Sequence, residues 1–235
     1  MSGLDHAEVV YDSRRWRLLS EKRAKAVKVM EVLARRIPKG LMVVHGSVAR
    51  GDVSENSDID VAILEPLPPS IVELALEHGG FKPVMKTLVQ ATPSNTPKAY
   101  IHLDYKDELV VSIPLAPLKP REREFFRWGG ELGLDGLLRN IRVPGVDKRL
   151  MLIEPTKKGH RESPVPGNEG RVAKVLGISE ATVKERVRVL TKRREHGHTG
   201  VFIKVELGPD EPLEDVIRRL AKSEPLFRRA MRGWI

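Results

Sequence analysis

The stretch LMVVHGSVARGDVSENSDIDVAIL, residues 41–64, decides the fold. It opens with an apolar run at 41–45 that predicts a short buried strand. A polar, glycine-containing segment follows at 46–57, and 58–64 then predicts a second strand, which ends before Pro66. Polar residues bracketed in this way by two buried strands are the first candidates for a functional site.

Two carboxylates stand at the start of the second predicted strand. Because side chains alternate along a strand, Asp58 and Asp60 point to the same side of the sheet. Two carboxylates on one face of an apolar strand repel each other and are costly to bury unless a cation lies between them. Such oxygen ligands suit Mg²⁺, which takes its further ligands from water and substrate phosphates. The spacing therefore predicts a magnesium site, with two ions about 3.5–4 Å apart as the arrangement that activates an attacking oxygen and stabilises a leaving one.

A Gly-Ser pair directly after the first strand opens a short helical turn and predicts a phosphate-binding site. Gly46 permits close approach of the backbone, and a helix N-terminus offers free N–H groups to phosphate. The hydroxyl of Ser47 adds one more hydrogen bond, and we expect Arg50 to reach a triphosphate as a fixed cation. These three residues are the predicted nucleotide-binding set.

The rest of the chain up to residue 170 mixes predicted helices and strands. Apolar spacing predicts a long helix over 13–37 and a strand at 149–155. The other predicted elements are helices at 70–78, 121–128 and 133–140, a strand at 81–90, and a hairpin formed by 99–105 and 109–113. Three glycines and two prolines in 156–170 indicate a loop and linker. A hairpin combined with helices between strands predicts a mixed sheet in an α/β or α+β domain.

The segment GSVARGDVSENSDIDVAIL closely resembles the signature of the nucleotidyltransferase superfamily with the polymerase-beta-like fold. That signature is a Gly-Ser pair after a strand, a loop, and Asp-x-Asp on the next strand. The Arg-Gly after the Ser and the Ser before the first Asp are similar to its small, minimal members. The resemblance implies a polymerase-beta-like mixed sheet, a nucleoside triphosphate as substrate and Mg²⁺ as cofactor. It also implies that Gly46 and Ser47 contact the triphosphate and that Asp58 and Asp60 bind the metal ions.

The third carboxylate of that family is replaced at its usual place. Members similar to archaeal CCA-adding enzymes carry it on the second strand of a hairpin just before a Pro, where this sequence has Ser112. With the hairpin turn centred on Asp107, Asp104 faces Val110 on the paired strand, and His102 faces Ser112. We therefore predict that Asp104 completes the metal site and helps to activate the acceptor. The alternative is that these residues form the solvent-facing side of the hairpin.

The C-terminal part of the chain has a different character. We expect a nucleotidyltransferase domain at 1–162 and a small winged helix-turn-helix domain at 163–235. Apolar residues at helical spacing, Gly177 as a tight turn and Ser179 as an N-cap predict two successive helices. This arrangement resembles the helix-turn-helix of bacterial and archaeal DNA-binding domains, and 201–205 is expected to be the strand of a wing.

By that resemblance the second helix enters the major groove of DNA through its N-terminal part. The candidate nucleic-acid contacts are Thr182, Lys184, Arg188, Lys192, Arg193 and Arg194. Between residues 171 and 194 the chain has eight basic and two acidic residues, which favours DNA or RNA as a partner. The alternative is a domain that serves only in packing or in a homodimer.

The amino-acid composition excludes several classes of protein and of functional site. The 235 residues include no cysteine, which excludes a disulfide scaffold, a thiol nucleophile and a zinc site built on thiolates. No run approaches the ~20 apolar residues that span a bilayer, and the N-terminus lacks the apolar core of a secretory signal. We therefore expect a cytoplasmic protein without a membrane partner. The net charge of +9 favours an anionic partner, although a highly charged solvated surface is the other interpretation.

Together these features predict a magnesium-dependent nucleotidyltransferase with a nucleic-acid-binding C-terminal domain. The sequence leaves the acceptor open among a protein, an RNA end and a small molecule. The alternative is a DNA-binding transcriptional regulator with a catalytically degenerate nucleotidyltransferase domain, which Ser112 favours and the retained Asp58 and Asp60 disfavour. A third interpretation is an RNA-tailing enzyme whose basic C-terminal domain holds the acceptor.

Overall fold

The computed structural model describes residues 7–106, 108–197 and 200–234. Within these residues the strands are β1 (Ala7–Val10), β2 (Met42–His45), β3 (Ile59–Ile63), β4 (Met85–Gln90), β5 (Lys98–His102), β6 (Leu109–Pro114), β7 (Glu131–Leu132), β8 (Gly145–Val146), β9 (Met151–Thr156), β10 (Gly159–Pro164) and β11 (Ile203–Leu207). The α-helices in the same residues are α1 (Ser13–Leu33), α2 (Ser47–Arg50), α3 (Pro69–His78), α4 (Pro120–Gly129), α5 (Leu134–Leu138), α6 (Glu169–Leu176), α7 (Glu180–His196), α8 (Leu213–Ser223) and α9 (Pro225–Ala230).

The strands of the described residues form two sheets. The main sheet has the order β11-β4-β5-β6-β3-β2-β7, and the small sheet has the order β1-β10-β9-β8. In the main sheet β3 and β6 run parallel, whereas the other neighbouring strands run antiparallel. The mixed sheet expected from the sequence is therefore confirmed.

The two faces of the main sheet differ in chemistry. On the face that packs against α1 and α3, cross-strand neighbours such as Val44, Val61 and Val111 are fully buried in the larger core. The opposite face, which we call the open face, carries Asp60 on β3 and His45, its cross-strand partner on β2. Because strand side chains alternate, the whole set of polar residues in register with Asp60 shares this face. The open face therefore carries the candidate functional residues.

Helix α1 supplies much of the cover for the other face. Asp12 caps it by accepting a hydrogen bond from the amide of Arg15 (2.8 Å), as expected for an acidic N-cap. Its buried residues follow helical spacing, from Leu19 through Ala26 to Leu33. No helix of the described residues, α1 included, combines the length and apolar character that crossing a bilayer requires.

The C-terminal strand and helices belong to the main sheet. The prediction of a wing at 201–205 is wrong, because β11 pairs antiparallel with β4 at the edge of the main sheet. Leu207 is buried there, and Leu213 of α8 and Phe227 of α9 lie in the same core as the strands. An unpaired edge strand exposes backbone donors and acceptors, and β11 covers that edge.

The segment expected to be a linker also has a regular structure. Residues 159–164 form β10, which pairs with β9 and β1, so the domain boundary expected at 162/163 falls inside this strand. His160 is buried on β10, and its Nδ1 is hydrogen-bonded to the Tyr11 hydroxyl (2.6 Å). The local composition of this segment indicates a loop. It forms a strand because it pairs with β1, which is far away in sequence.

Helices α6 and α7 lie where the sequence predicted them. Gly177 joins them in the left-handed conformation (φ 62°), which favours glycine. They form a second core with the small sheet and α4, in which Val172 and Val183 pack with Trp128 and Leu152. Helices α6 and α7 thus rest on the small sheet, and none of the described residues forms a wing strand beside them.

The packing of α9 leads to a stability prediction. Replacing the fully buried ring in Phe227→Ala should lower the free energy of unfolding by about 3–5 kcal/mol, because a cavity opens in the main core. Urea unfolding followed by far-UV circular dichroism measures this loss. Leu226→Ala, at an exposed neighbour, is the matched control and should change stability by less than about 0.5 kcal/mol. Equal, small effects of both changes would contradict the placement of α9 on the main core.

Candidate active site

The Gly-Ser turn leads from β2 into α2. Gly46 adopts φ 81°, which strongly disfavours any other residue, and its amide donates to the carbonyl of Gly130 (3.0 Å). A Cβ atom built at Gly46 meets no atom within 4 Å, so the turn faces open space. The amides of Ser47 and Val48 have no acceptor inside the helix, because they belong to its first turn. The turn therefore has the geometry that the predicted phosphate contacts of Gly46 and Ser47 require.

Two buried cations of α1 hold this region in place. Arg23 donates from Nε to the carbonyl of Val48 (3.0 Å) and from Nη2 to that of Ala49 (2.9 Å). Lys22 donates from Nζ to the carbonyl of Ser57 (2.7 Å), just before the first aspartate. Burial, with the nearby charge of Arg142, lowers the pKa of Arg23 to about 10. Helix α1 thus positions both halves of the motif, a role that its helical periodicity alone does not reveal.

The two aspartates lie at the start of β3. Asp58 is exposed and immediately precedes the strand, whereas Asp60 is largely covered between His45 on β2 and Val110 on β6. Burial raises the pKa of Asp60, and the charge of Lys148 opposes this shift. Lys148 lies in the turn between β8 and β9, so a cation of the small sheet acts on a carboxylate of the main sheet. The sequence analysis missed Lys148, because nothing local marks it.

This pair of carboxylates fits a divalent cation. The donors are hard oxygens, and a buried carboxylate with a raised pKa is stabilised in its charged form when a cation binds beside it. Within the described residues no group of three or more His, Cys, Asp or Glu side chains could hold a metal ion. An ion bound by Asp58 and Asp60 would therefore need ligands from water or from substrate phosphates, as Mg²⁺ commonly does.

The structure does not bring Asp104 into a metal-binding cluster with the other two acids. The expected register is shifted by two residues, since His102 rather than Asp104 pairs with Val110. Asp104 lies in the turn, where its Oδ1 accepts from the amides of Lys106 (3.0 Å) and Glu108 (2.9 Å). A short acidic side chain that bonds backbone amides in this way stabilises a turn. The predicted third metal ligand is thus a turn residue.

The position that the family gives to a third carboxylate is occupied by uncharged groups. Ser112 is buried on the open face between Ala62 and Tyr100. Burial raises the pKa of Tyr100 to about 12, and the charge of Asp60 contributes to the same shift. The phenol therefore stays neutral and lies within electrostatic reach of Asp60. The sequence analysis did not identify Tyr100.

Arg50 has a structural role instead of the predicted contact with a triphosphate. The guanidinium is buried and forms a two-point ion pair with Asp52, with Nε–Oδ1 and Nη2–Oδ2 distances of 2.9 Å. Its Nη1 donates to the carbonyls of Gly129 (2.6 Å) and Val146 (3.3 Å). Four of its five N–H groups are bonded inside the protein, and the guanidinium is buried, so it is not presented to a phosphate.

His45, beside Asp60 on the open face, carries no charge at neutral pH. Burial lowers its pKa to about 4, with further lowering from Lys98 and Arg50 and an opposing contribution from Glu131. Its ring packs edge-to-face on Phe126 at a centroid distance of 5.1 Å. The cationic charge near Asp60 therefore comes from Lys148 and not from this imidazole.

The N-terminal half of α7 packs against α4. Thr182 is buried and its hydroxyl donates to Glu124, which also accepts from the amide (3.0 Å) and hydroxyl (2.8 Å) of Ser179. Thr182 was predicted as an exposed nucleic-acid contact, and this prediction is wrong because Glu124 binds it from α4. Lys184 is exposed and pairs with Glu180 (2.7 Å).

The basic C-terminal half of α7 is open to solvent. Arg188, Lys192, Arg193 and Arg194 are exposed. Arg194 also donates to the backbone carbonyl of Lys148 (3.3 Å), which connects this end of α7 to the turn that faces Asp60. Nucleic-acid binding by these residues stays a prediction.

Comparison with known families identifies the central segment. Residues 27–115 match the family model described as "Nucleotidyltransferase domain". The matched segment starts in α1, ends just after β6 and includes the Gly-Ser turn and both aspartates. Comparisons with curated proteins and with solved structures returned no match. The match supports the nucleotidyltransferase superfamily, and the polymerase-beta-like α/β fold expected from the sequence is confirmed.

The buried ion pair of Arg50 leads to a second stability prediction. Arg50→Gln and Asp52→Asn should each lower the free energy of unfolding by about 3–5 kcal/mol, because each leaves the other charge buried without its partner. Arg14→Gln, which breaks the exposed ion pair with Glu55, is the control and should cost at most about 1 kcal/mol. Chemical unfolding measures all three. A stable Arg50→Gln variant with weaker nucleotide binding would show instead that Arg50 serves the substrate.

Proposed function

We propose that this protein transfers a nucleoside monophosphate from a nucleoside triphosphate to an acceptor hydroxyl. Asp58 and Asp60 hold divalent metal, and the turn at Gly46 and Ser47 binds the triphosphate. One observation carries the proposal. Asp60 is held largely buried on the open face, in register with the end of β2, from which the Gly-Ser turn starts. The family match over residues 27–115 supports the same reaction class.

The chemistry follows from this arrangement. The acceptor oxygen forms a bond to the α-phosphorus while the bond to the bridging oxygen of the β-phosphate breaks, and pyrophosphate leaves. The hydroxyl proton passes to water. Asp58 and Asp60 would hold Mg²⁺, which when bound would supply positive charge to the phosphates and favour the deprotonated acceptor oxygen. The amides of the first turn of α2 donate to phosphate oxygens, and the open space at Gly46 gives the triphosphate access to them.

Lys148 takes the place that the sequence analysis gave to Arg50. Arg50 is bound to Asp52 and two carbonyls, whereas Lys148 is exposed and its charge acts on Asp60. A lysine at this position attracts the triphosphate without being locked into the protein. We therefore assign Lys148 as the cation that helps to seat the phosphates.

The second candidate function is that of a DNA-binding transcriptional regulator whose nucleotidyltransferase domain does not catalyse transfer. Ser112, buried where the family carries a carboxylate, favours it, because fewer acids are then available for chemistry. Such a protein would bind nucleotide through the same turn without transferring it. Transfer and binding therefore have to be measured separately.

The first test removes the paired acids. Asp58→Asn/Asp60→Asn should reduce transfer from α-labelled nucleoside triphosphates to a mixed acceptor pool by at least about 10³-fold, because several kcal/mol of charge stabilisation are lost. Mn²⁺ binding followed by electron paramagnetic resonance should weaken in parallel. Each of the four triphosphates is tested in turn with Mg²⁺.

Asp104→Asn is the matched control for this experiment. An amide oxygen accepts the same two backbone hydrogen bonds, so the turn persists and transfer should stay within about threefold of the unmodified protein. Transfer by the double variant equal to that of the unmodified protein would place the reaction elsewhere. Mn²⁺ and nucleotide binding without transfer would favour the regulator.

A second test addresses Lys148. Lys148→Gln should raise KM for the triphosphate by about tenfold or more, as expected for the loss of one charge-assisted contact with phosphate. Lys157→Gln, at an exposed lysine in the turn at the other end of β9, removes the same charge and should leave KM unchanged. Steady-state kinetics measures both. Equal KM values for the two variants would remove Lys148 from the site.

A further inference from the structure

A groove that the family motif does not explain runs along the described part of the open face. One cleft of about 730 Å³ lies between β4, β5, α4 and α7, and is lined by Lys98 and Tyr100 of β5. A second cleft of about 630 Å³ lies next to it and reaches α9 and Trp234. The two clefts share the residues Ser94, Asn95, Thr96 and Lys119, so they adjoin at this segment, and we refer to both together as the groove.

The first cleft is lined by more cations than carboxylates, five Lys and Arg against two Glu. Within the described residues, the side chains of Lys98, Arg186 and Arg193 form no ion pair with a carboxylate. The Nε of Arg186 is buried without a hydrogen-bond partner. Burial and the charge of Arg193 lower the pKa of Arg186, while Glu185 opposes the shift. An anion bound in this cleft would therefore offset an existing electrostatic cost.

The acids of the same cleft are already engaged. Glu122 accepts hydrogen bonds from the hydroxyl and amide of Thr96 and from the side chain of Asn95, at 2.7, 2.8 and 2.9 Å. Glu185 pairs with Arg121 (2.6 Å). These carboxylates fix α4 and α7 against the sheet, and they leave the excess positive charge facing the groove.

Aromatic rings accompany the cations along the groove. Arg186 lies over the ring of Phe125, with the guanidinium carbon 4.9 Å from the ring centroid. At the other end Trp234 is 50 % exposed, next to Arg229 and Arg232. Positive charge interleaved with stacking surfaces is the combination that binds single-stranded nucleic acids through phosphates and base faces.

We propose that this groove binds a single-stranded nucleic acid and presents its end as the acceptor to the paired aspartates. The choice of a single strand follows from α7, whose N-terminal half is held against α4 by Thr182 and Glu185 and so cannot enter the major groove of a duplex. Tyr100 connects the two sites, because it lines the groove and interacts electrostatically with Asp60. The acceptor role rests on the proposed transfer reaction, whereas binding in the groove does not.

The test is fluorescence anisotropy with labelled oligouridylate of 4, 8 and 16 nucleotides, without triphosphate or metal. Affinity should rise with length and fall with salt. For single strands the slope of log K against log salt is about −0.7 for each phosphate contacted. Arg193→Gln/Arg229→Gln removes one cation from each cleft, so it should make the slope shallower by about 1.4 and weaken binding by at least about tenfold. Trp234→Ala should weaken binding by about fivefold or more through lost stacking.

The matched control removes the same charge from the opposite side of the main sheet. Arg17 is exposed on α1 and Arg35 is exposed just after it, so Arg17→Gln/Arg35→Gln should leave the salt slope unchanged. Equal weakening by both double variants would show non-specific attraction to a basic protein and overturn the proposal. Equally tight binding of a 16-base-pair duplex would overturn it as well. A further contrary result is that an unlabelled nucleoside triphosphate displaces the labelled oligonucleotide as effectively as the unlabelled 16-mer does. That result would show that the groove is a triphosphate subsite and would overturn the proposal.

The outcome is separable from that of the proposed function. The groove variants could lose oligonucleotide binding while Asp58→Asn/Asp60→Asn leaves transfer unchanged. This result would support the groove as the binding site for the single strand and would reject the assigned catalytic site. Transfer that depends on the aspartates but is unaffected in the groove variants would reject the groove as the acceptor site.

Discussion

The geometry of the candidate site depends on the ion pair and the hydrogen bonds that the buried guanidinium of Arg50 forms. It stands at the end of α2, pairs with Asp52, and donates to the end of α4 at Gly129 and to β8 at Val146. This buried charge is tolerated because it is paired and hydrogen-bonded to these groups, so the contacts hold α2, α4 and the small sheet relative to one another. Because Gly46 begins the same short helix, the position of the triphosphate-binding turn is coupled to the docking of the small sheet.

That coupling explains how a cation outside the family segment acts on a carboxylate inside it. The match ends at residue 115, yet Lys148 lies in the small sheet and its charge affects the pKa of Asp60. Arg194 of α7 binds the backbone of Lys148, so the basic helix is linked to the same turn. Residues after 115 therefore contribute to the electrostatic environment of Asp60.

The local features of the motif could be predicted from the sequence, but its tertiary contacts could not. Alternation along one strand predicts that Asp58 and Asp60 point to one side; the structure has β2 and β3 in the expected order, with Asp58 immediately before β3 and Asp60 within it. Asp104 was misassigned because hairpin register depends on turn geometry, and β5 ends at His102, two residues earlier than the assumed pairing requires. Arg50 was misassigned because its partners at Gly129 and Val146 are distant in sequence.

The same distinction applies to the C-terminal residues. Ser179 does cap α7, and Gly177 does form the turn before it, as local rules predict. Which face of α7 stays exposed was decided by Glu124 of α4, which no local pattern indicates. Likewise, a strand was predicted at 201–205 and β11 spans Ile203–Leu207, while the free edge of β4 determined its partner.

The open face carries two buried groups of opposite charge, and burial disfavours the charged form of each. Burial raises the pKa of Asp60, which disfavours its negative charge, and burial lowers the pKa of Lys98, which disfavours its positive charge. Lys98 forms no ion pair with a described carboxylate and instead lies over the ring of Phe126 at 4.9 Å. A core residue under selection for stability alone would be expected to lose such a charge or to pair it. A phosphate-bearing ligand that arrives with a divalent cation would offset both costs at once, which is why we regard the acids and the cationic groove as parts of one binding surface.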